Sequence, residues 1–187
     1  KKRMIKRNLK VVITGGPGAG KSTLLEALKV RGFRCFEEVS RDLIEDGKKK
    51  GMANYFLEAP LAFSEALFEG RFAQYQTAKN LPFQAPKPVV FFDRGLLDVV
   101  AYLESLGQEN KPLKNKARNY PYDRVIFLPP WKKIYHKDAQ RLEEFEQAEK
   151  LSKALWHTYS REGVDPFVLP PGTVNERVEA LLNYLSI

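Results

Sequence analysis

The run Gly15-Gly16-Pro17-Gly18-Ala19-Gly20-Lys21-Ser22-Thr23 constrains this chain more than any other feature. It fits the pattern G-x-x-x-x-G-K-[ST] and follows the apolar stretch Val11-Val12-Ile13, which reads as a buried strand. It leads into Leu24-Leu25-Glu26-Ala27-Leu28, whose apolar spacing is that of a helix. Strand, glycine-rich loop and helix start form the context in which this pattern becomes a phosphate cradle. Glycines let consecutive backbone N–H groups turn inward around phosphate oxygens, and a helix N-terminus adds partial positive charge. The spacing predicts that Gly15 to Thr23 wrap the phosphates of a nucleoside triphosphate. Lys21 is expected to reach the β- and γ-phosphates, and the Ser22 hydroxyl to ligate Mg²⁺.

A chain of 187 residues can bury one substantial core and is short for two, so one domain spanning 1–187 is expected. The single cysteine, Cys35, excludes an internal disulfide, fits a reducing compartment and reads as a core thiol in a strand. No stretch has the length of a membrane span, and the apolar run after the basic N-terminus is too short for a signal peptide. A cytoplasmic protein is the resulting expectation. The net charge of +8 is unevenly spread: residues 1–10, 48–50 and 111–118 hold six, three and four Lys/Arg and no acid. Removing those 13 from the 31 basic residues leaves 18 against 23 acids. The basicity therefore belongs to a flexible tail over residues 1–8 and two loops, segments that could attract an anionic partner.

Apolar runs alternate with amphipathic stretches along the whole sequence. Strands are predicted at 9–14, 33–37, 88–92, 124–128 and 166–169, and helices at 21–31, 40–50, 60–79, 95–106, 131–161 and 174–185. Val89-Val90-Phe91-Phe92 and Val125-Ile126-Phe127-Leu128 are continuously apolar, as parallel strands covered on both faces are. Thr173-Val174-Asn175-Glu176 reads as a capping box, and 107–122 as the most loop-like segment. The alternation predicts an α/β fold, a three-layer αβα sandwich around a five-stranded parallel sheet.

Ligands of open α/β sheets bind beyond the carboxyl ends of the strands. Three such ends carry chemistry here. Asp93, delivered by Phe91-Phe92, is placed to hold Mg²⁺ beside Ser22 or to orient a hydroxyl. It is followed by Arg94, where a hydrolysis motor would use a glutamate to activate water. An arginine stays protonated, so it suits acceptor binding and stabilisation of transferred charge. Glu37 and Glu38 lie where a small-molecule kinase keeps a base for an acceptor hydroxyl, with the register between them open. Arg41, one helical turn on, and Arg71, within helix 60–79, are candidate acceptor contacts. Helix 131–161 is expected to supply a lid in its first half, with Arg141 closing over the phosphates. Trp131 and the turn Pro170-Pro171-Gly172-Thr173 could flank a base. Asn115-Lys116-Ala117-Arg118 lacks the Asp of a guanine-recognition element, which favours ATP over GTP.

Together with the loop, Glu38-Val39-Ser40-Arg41, Phe92-Asp93-Arg94-Gly95-Leu96-Leu97-Asp98 and Leu128-Pro129-Pro130-Trp131 make a combination more specific than the loop alone. It resembles the P-loop AAA domain family of the NadR (ribosylnicotinamide kinase) type, over roughly Lys10 to Leu185, and is most similar to uncharacterised bacterial predicted ATPases. The resemblance implies a nucleoside/nucleotide-kinase-like core using Mg-ATP. Its nucleotide and metal contacts would be Lys21, Ser22, Thr23 and Asp93, with an acceptor pocket from the Glu38/Arg41 and Asp93/Arg94 segments. The residues admit three functions. One is a phosphotransferase acting on a small hydroxyl- or phosphate-bearing metabolite, with catalytic Lys21, Glu38, Asp93, Arg94 and Arg141. The second is a nucleotide-dependent switch or slow ATPase acting through a partner. The third is a kinase or binder of nucleic-acid ends.

Overall fold

The structure, a computed structural model, describes residues 6–131 and 139–187, the side chains of 139–143 excepted. The apolar runs do become strands: β1 (Leu9–Gly15), β2 (Arg34–Phe36), β3 (Val89–Asp93), β4 (Arg124–Leu128) and β5 (Phe167–Val168). They form one sheet in the order β2-β3-β1-β4-β5, parallel throughout. Parallel strands need a crossover each time, and helices supply it. In the crossovers lie α1 (Lys21–Val30), α2 (Ser40–Lys49), α3 (Tyr55–Glu58), α4 (Pro60–Asn80), α5 (Leu96–Ser105), α6 (Lys111–Asn119) and α7 (Ala139–Arg161), and α8 (Val174–Leu185) follows the last strand. This is an α/β fold in which helices cover a five-stranded parallel sheet.

The two faces of the sheet follow the pleat. Val11 and Ile13 of β1 pack with Val89, Phe91, Ile126 and Leu128 against α1 and α8. The alternate residues Val12, Val90, Phe92 and Val125 face Tyr159 of α7 and Ala78 of α4. Phe63, Leu67 and Phe68 of α4 close over Val99 and Leu103 of α5 in a further apolar cluster. The central strand β1 is completely buried from Val11 to Thr14. Its carboxyl end therefore delivers the loop to the middle of the sheet's edge, with Asp93 of the neighbouring β3 in register with Ile13.

Three expectations are corrected. The segment 107–122 is not all loop, because α6 occupies Lys111–Asn119. Asn110 caps it, its side chain accepting from Leu113 N at 3.1 Å, and Pro112 sits in the first turn, where a missing N–H costs nothing. The tail is not free up to residue 8. Arg7 forks onto Asp123 at 2.6 and 2.8 Å, and Asn8 bonds Pro82 O and Gln84 N, both at 2.9 Å. Helix 131–161 does not begin at Trp131, which is non-helical; α7 starts at Ala139, and 132–138 lie outside the described residues. The capping box of α8 forms, Thr173 Oγ1 accepting from Glu176 N at 3.2 Å and Glu176 Oε2 from Thr173 N at 2.8 Å. No helix among the described residues is long and apolar enough to cross a membrane.

Candidate active site

The phosphate loop is built by local backbone chemistry. Gly20 stands before α1 with φ 84°, a left-handed conformation that glycine adopts at little cost, and no side chain caps the helix. The first-turn N–H groups of α1 are thus left for a ligand. Gly16 is required by packing instead: a Cβ there would lie 2.6 Å from the carbonyl oxygen of Ala148 in α7. Both sides of that contact are backbone, so Gly16→Ala should cost about 1–3 kcal/mol by overpacking. A lowered urea midpoint would register it, and an unchanged midpoint would refute this contact between loop and helix.

Lys21 leaves the loop and meets Asp93 at the end of β3 in an ion pair whose side chains are nearly buried. Burial, then the charge of Arg94, pushes the Lys21 amine below the usual lysine range against the pull of Asp93. Ser22, at the start of α1, opens with Asp93 onto a cavity of about 210 Å³. A hydroxyl and a carboxylate are hard oxygen donors of the kind Mg²⁺ takes together with phosphate oxygens and water, so the pair fits that ion. Among the described residues no group of three His, Cys, Asp or Glu forms a protein-only metal cage.

Glu38 resolves the ambiguity at the end of β2. Glu37 is exposed and pairs with Lys29 on the surface, whereas Glu38 turns inward. Its Oε1 accepts from Arg71 Nη2 at 2.9 Å and from Ser40 N at 3.1 Å, and its Oε2 lies 3.2 Å from Arg94 Nε. Burial alone would raise the Glu38 carboxyl; Arg71, Arg94 and the Ser40 amide outweigh it and hold the pKa at about 2. Glu38 lines two cavities at once. One is the cavity beside Ser22 and Asp93; the other, about 170 Å³, is walled by Phe63, Leu67, Tyr102, Leu151 and Leu155, with Arg71, Arg94 and Asp98 at its polar end.

Arg94 has φ 71°, unusual for a residue with a side chain. Its N–H donates to Ile13 O at 3.1 Å, and its guanidinium reaches Glu38 and Asp98, the latter at 3.3 Å. Strained backbone persists where surroundings over-determine it, commonly at functional sites. Arg71, expected as an acceptor contact, is fully enclosed and donates to Glu38 and to Gly95 O at 3.3 Å, with its Nε unpartnered. It supports the pocket from behind. Arg41 is exposed and lines the cavity beside Asp93 rather than the one beside Arg94. The Arg141 side chain lies outside the described residues. Burial pushes the Cys35 thiol up to about 12, so it stays protonated.

Two residues were given no role from the sequence. Arg177 of α8, 4% exposed, donates Nη1 to Ala19 O at 3.0 Å and lies 5.9 Å from the ring of Trp131, with Nε and Nη2 unpartnered. It braces the phosphate loop from below. Asp98 stood in the sequence as the last residue of the motif Phe92 to Asp98, with no role of its own. The basic run 111–118 is largely self-neutralised: Lys116 pairs with Glu69 at 2.9 Å, Arg118 with Glu162 at 2.5 Å, and Lys114 with Glu104 at 3.5 Å.

Loop, buried lysine and strand-end aspartate on this sheet define a nucleotide-binding P-loop protein of kinase-like fold. The chain belongs to a family described as AAA domain, whose profile matches residues 10–177. No curated protein matches it. Among solved structures it is similar to NadR protein in complex with NR, at TM-score 0.71 and 15% identity over 96% of this chain and 51% of that one. It thus spans about half of the NadR chain. Deoxyadenosine kinase from M. mycoides with bound dATP gives TM-score 0.64 and 20% identity over 96% of this chain and 100% of that one. Thymidylate kinase from Candida albicans gives 0.63 and 15%, over 96% and 92%.

Proposed function

We propose that this protein transfers the terminal phosphoryl group of Mg-ATP to a neutral hydroxyl of a small acceptor, of nucleoside or riboside type, held between α4, α5 and α7. The observation that carries the reading is the position of Glu38 between two cavities, one beside the phosphate loop and one apolar with a charged end. The charged end balances: Arg71 and Arg94 face Glu38 and Asp98, two cations against two carboxylates. An acceptor phosphate would need uncompensated cations there, whereas a hydroxyl needs only donors and acceptors. This favours a neutral acceptor over a phosphorylated one.

In this reading the loop amides and Lys21 bind the donor phosphates, and the shift of Lys21 from Asp93 to phosphate frees that carboxylate beside Ser22. Ser22 and Asp93 would hold Mg²⁺, which neutralises charge on the transferring group when bound. Glu38 accepts a hydrogen bond from the acceptor hydroxyl and aims it. With its pKa at about 2 it is a weak base at neutral pH. A loose phosphoryl transition state asks more for orientation than for early proton removal, and Arg94 supplies charge stabilisation where transfer occurs. The apolar walls exclude water, which favours transfer over hydrolysis. Trp131, backed by Arg177, offers a flat face for the adenine base.

The test is ADP release from Mg-ATP with pools of nucleosides, ribosides and sugars set against the corresponding monophosphates. Stimulation by a hydroxyl pool alone supports the proposal, and stimulation by monophosphates alone overturns the neutral acceptor. Tight ATP binding with slow turnover that no pool changes would instead establish a switch or slow ATPase. Arg94→Ala is expected to leave Mg-ATP affinity within about threefold and to reduce transfer by about 10²-fold. Equal losses in both would assign Arg94 to the nucleotide.

A further inference from the structure

Asp98 makes more polar contacts than any residue yet given a role. Its Oδ1 accepts from Thr14 Oγ1 and from Arg94 Nη1 at 3.3 Å. Its Oδ2 accepts from Gly95 N at 2.9 Å and from Tyr159 Oη at 2.5 Å. The carboxylate is 2% exposed, and Thr14 and Tyr159 are 0% and 1% exposed. The four donors come from three places: the last β1 residue before the phosphate loop, the β3–α5 turn that carries Arg94, and α7. A buried carboxylate is tolerated when its lone pairs are filled, and each donor is then held to a narrow position.

Helix α7 gives that junction its reach. The Ala148 carbonyl stacks on Gly16 of the loop, and Leu151 and Leu155 line the acceptor-side cavity. Tyr159, one turn beyond Leu155, ends on Asp98. One helix therefore touches the donor loop, the acceptor wall and the residue that holds Arg94.

We propose that Asp98 is a positioning residue: through Tyr159 and Thr14 it registers α7 and the phosphate-loop root against Arg94, so that donor and acceptor sides keep one relative geometry. Its catalytic consequence rests on the phosphotransfer reading above; its mechanical part does not. Asp98 borders the acceptor-side cavity, but both its oxygens are engaged by these donors and its side chain is 2% exposed, so in this scheme it acts through Arg94 and α7 rather than on a reactant. It acts by holding Arg94 in its left-handed backbone and α7 in its register.

The test compares wild type with Tyr159→Phe and Asp98→Asn. Thr158→Val is the control, removing a neighbouring α7 hydrogen bond to Glu104 of 3.3 Å outside the junction. Tyr159→Phe and Thr158→Val should lower the melting temperature comparably. Tyr159→Phe alone should lower kcat for transfer about tenfold, with acceptor KM and Mg-ATP affinity within about threefold, because a small misplacement costs rate more than binding. Asp98→Asn should lower kcat further. Wild-type kcat in folded Tyr159→Phe would overturn the proposal and leave the junction structural only. Should the wild type phosphorylate no acceptor, the phosphotransfer reading fails by itself, and amide exchange at 94–97 with Mg-ATP bound decides the mechanical part. Faster exchange in Tyr159→Phe but not in Thr158→Val supports it; equal exchange overturns it.

Discussion

Lys21→Ala is expected to lower Mg-ATP turnover by about 10³-fold, the largest single effect on activity in this protein. In the proposed chemistry Lys21 is the charged group that the loop presents to the phosphates, and it is already partly desolvated, so its interaction with phosphate would be weakly screened. The substitution has a second consequence. Asp93 loses its ion-pair partner in the nucleotide-free protein, and a nearly buried carboxylate without a partner destabilises the fold. The variant should therefore melt earlier, and its turnover must be measured below that transition. Isothermal calorimetry and ADP release separate the two effects. Turnover within threefold of wild type in folded Lys21→Ala would remove the loop from the proposed chemistry.

Glu38→Gln is expected to cost about 3–5 kcal/mol in stability, the usual range for breaking a buried charge pair from one side. The amide keeps the shape and removes the charge that compensates Arg71, which is 2% exposed, and Arg94, which is held in a strained backbone. The pH dependence has a definite sign. The folded-state pKa lies below its ordinary value, falling from 4.5 to about 2, so the stability it contributes is present above the ordinary carboxylate range. It is lost as pH falls through about 4.5 toward 2, and at 1.36 kcal/mol per pH unit it amounts to about 3 kcal/mol. Urea unfolding of wild type and Glu38→Gln at a series of pH values checks this: the difference should shrink as pH falls. A constant difference would mean that the carboxylate charge is not what stabilises the pair. Stability and chemistry separate in Glu38→Leu combined with Arg71→Met. Apolar replacement of a buried pair is often neutral for folding, yet this protein would have no group to orient an acceptor hydroxyl. The double variant should recover most of the stability and none of the transfer.

Much of the architecture was legible in the chain because it depends on neighbours in sequence. Continuous apolar runs mark strands covered on two faces, and the glycine pattern between Ile13 and Leu24 marks a turn from strand to helix. Strands β3 and β4 lie within a residue or so of their expected limits for that reason. Helix α6 was missed because Pro112 and four cations resemble a loop, although Asn110 before Pro112 is a helix start by the same local chemistry.

Local sequence was enough to specify the glycine-rich loop, the parallel strands and the delivery of Asp93 and Arg94 to one edge of the sheet. All of these rest on periodicity and turn chemistry, which operate over a few residues. Packing of the whole fold was needed to turn Glu38 rather than Glu37 inward, because both follow the last β2 residue, Phe36, and no local pattern says which of two adjacent acids Arg71 and Arg94 will meet. It also decided that Arg71 braces Glu38 across 33 positions of sequence, that Arg177 supports the loop from 158 positions away, and that Asp98 meets Thr14 and Tyr159. Such contacts leave no local pattern, because their partners become neighbours only when the sheet and its helices close, and burial then compels each charge to find its partner.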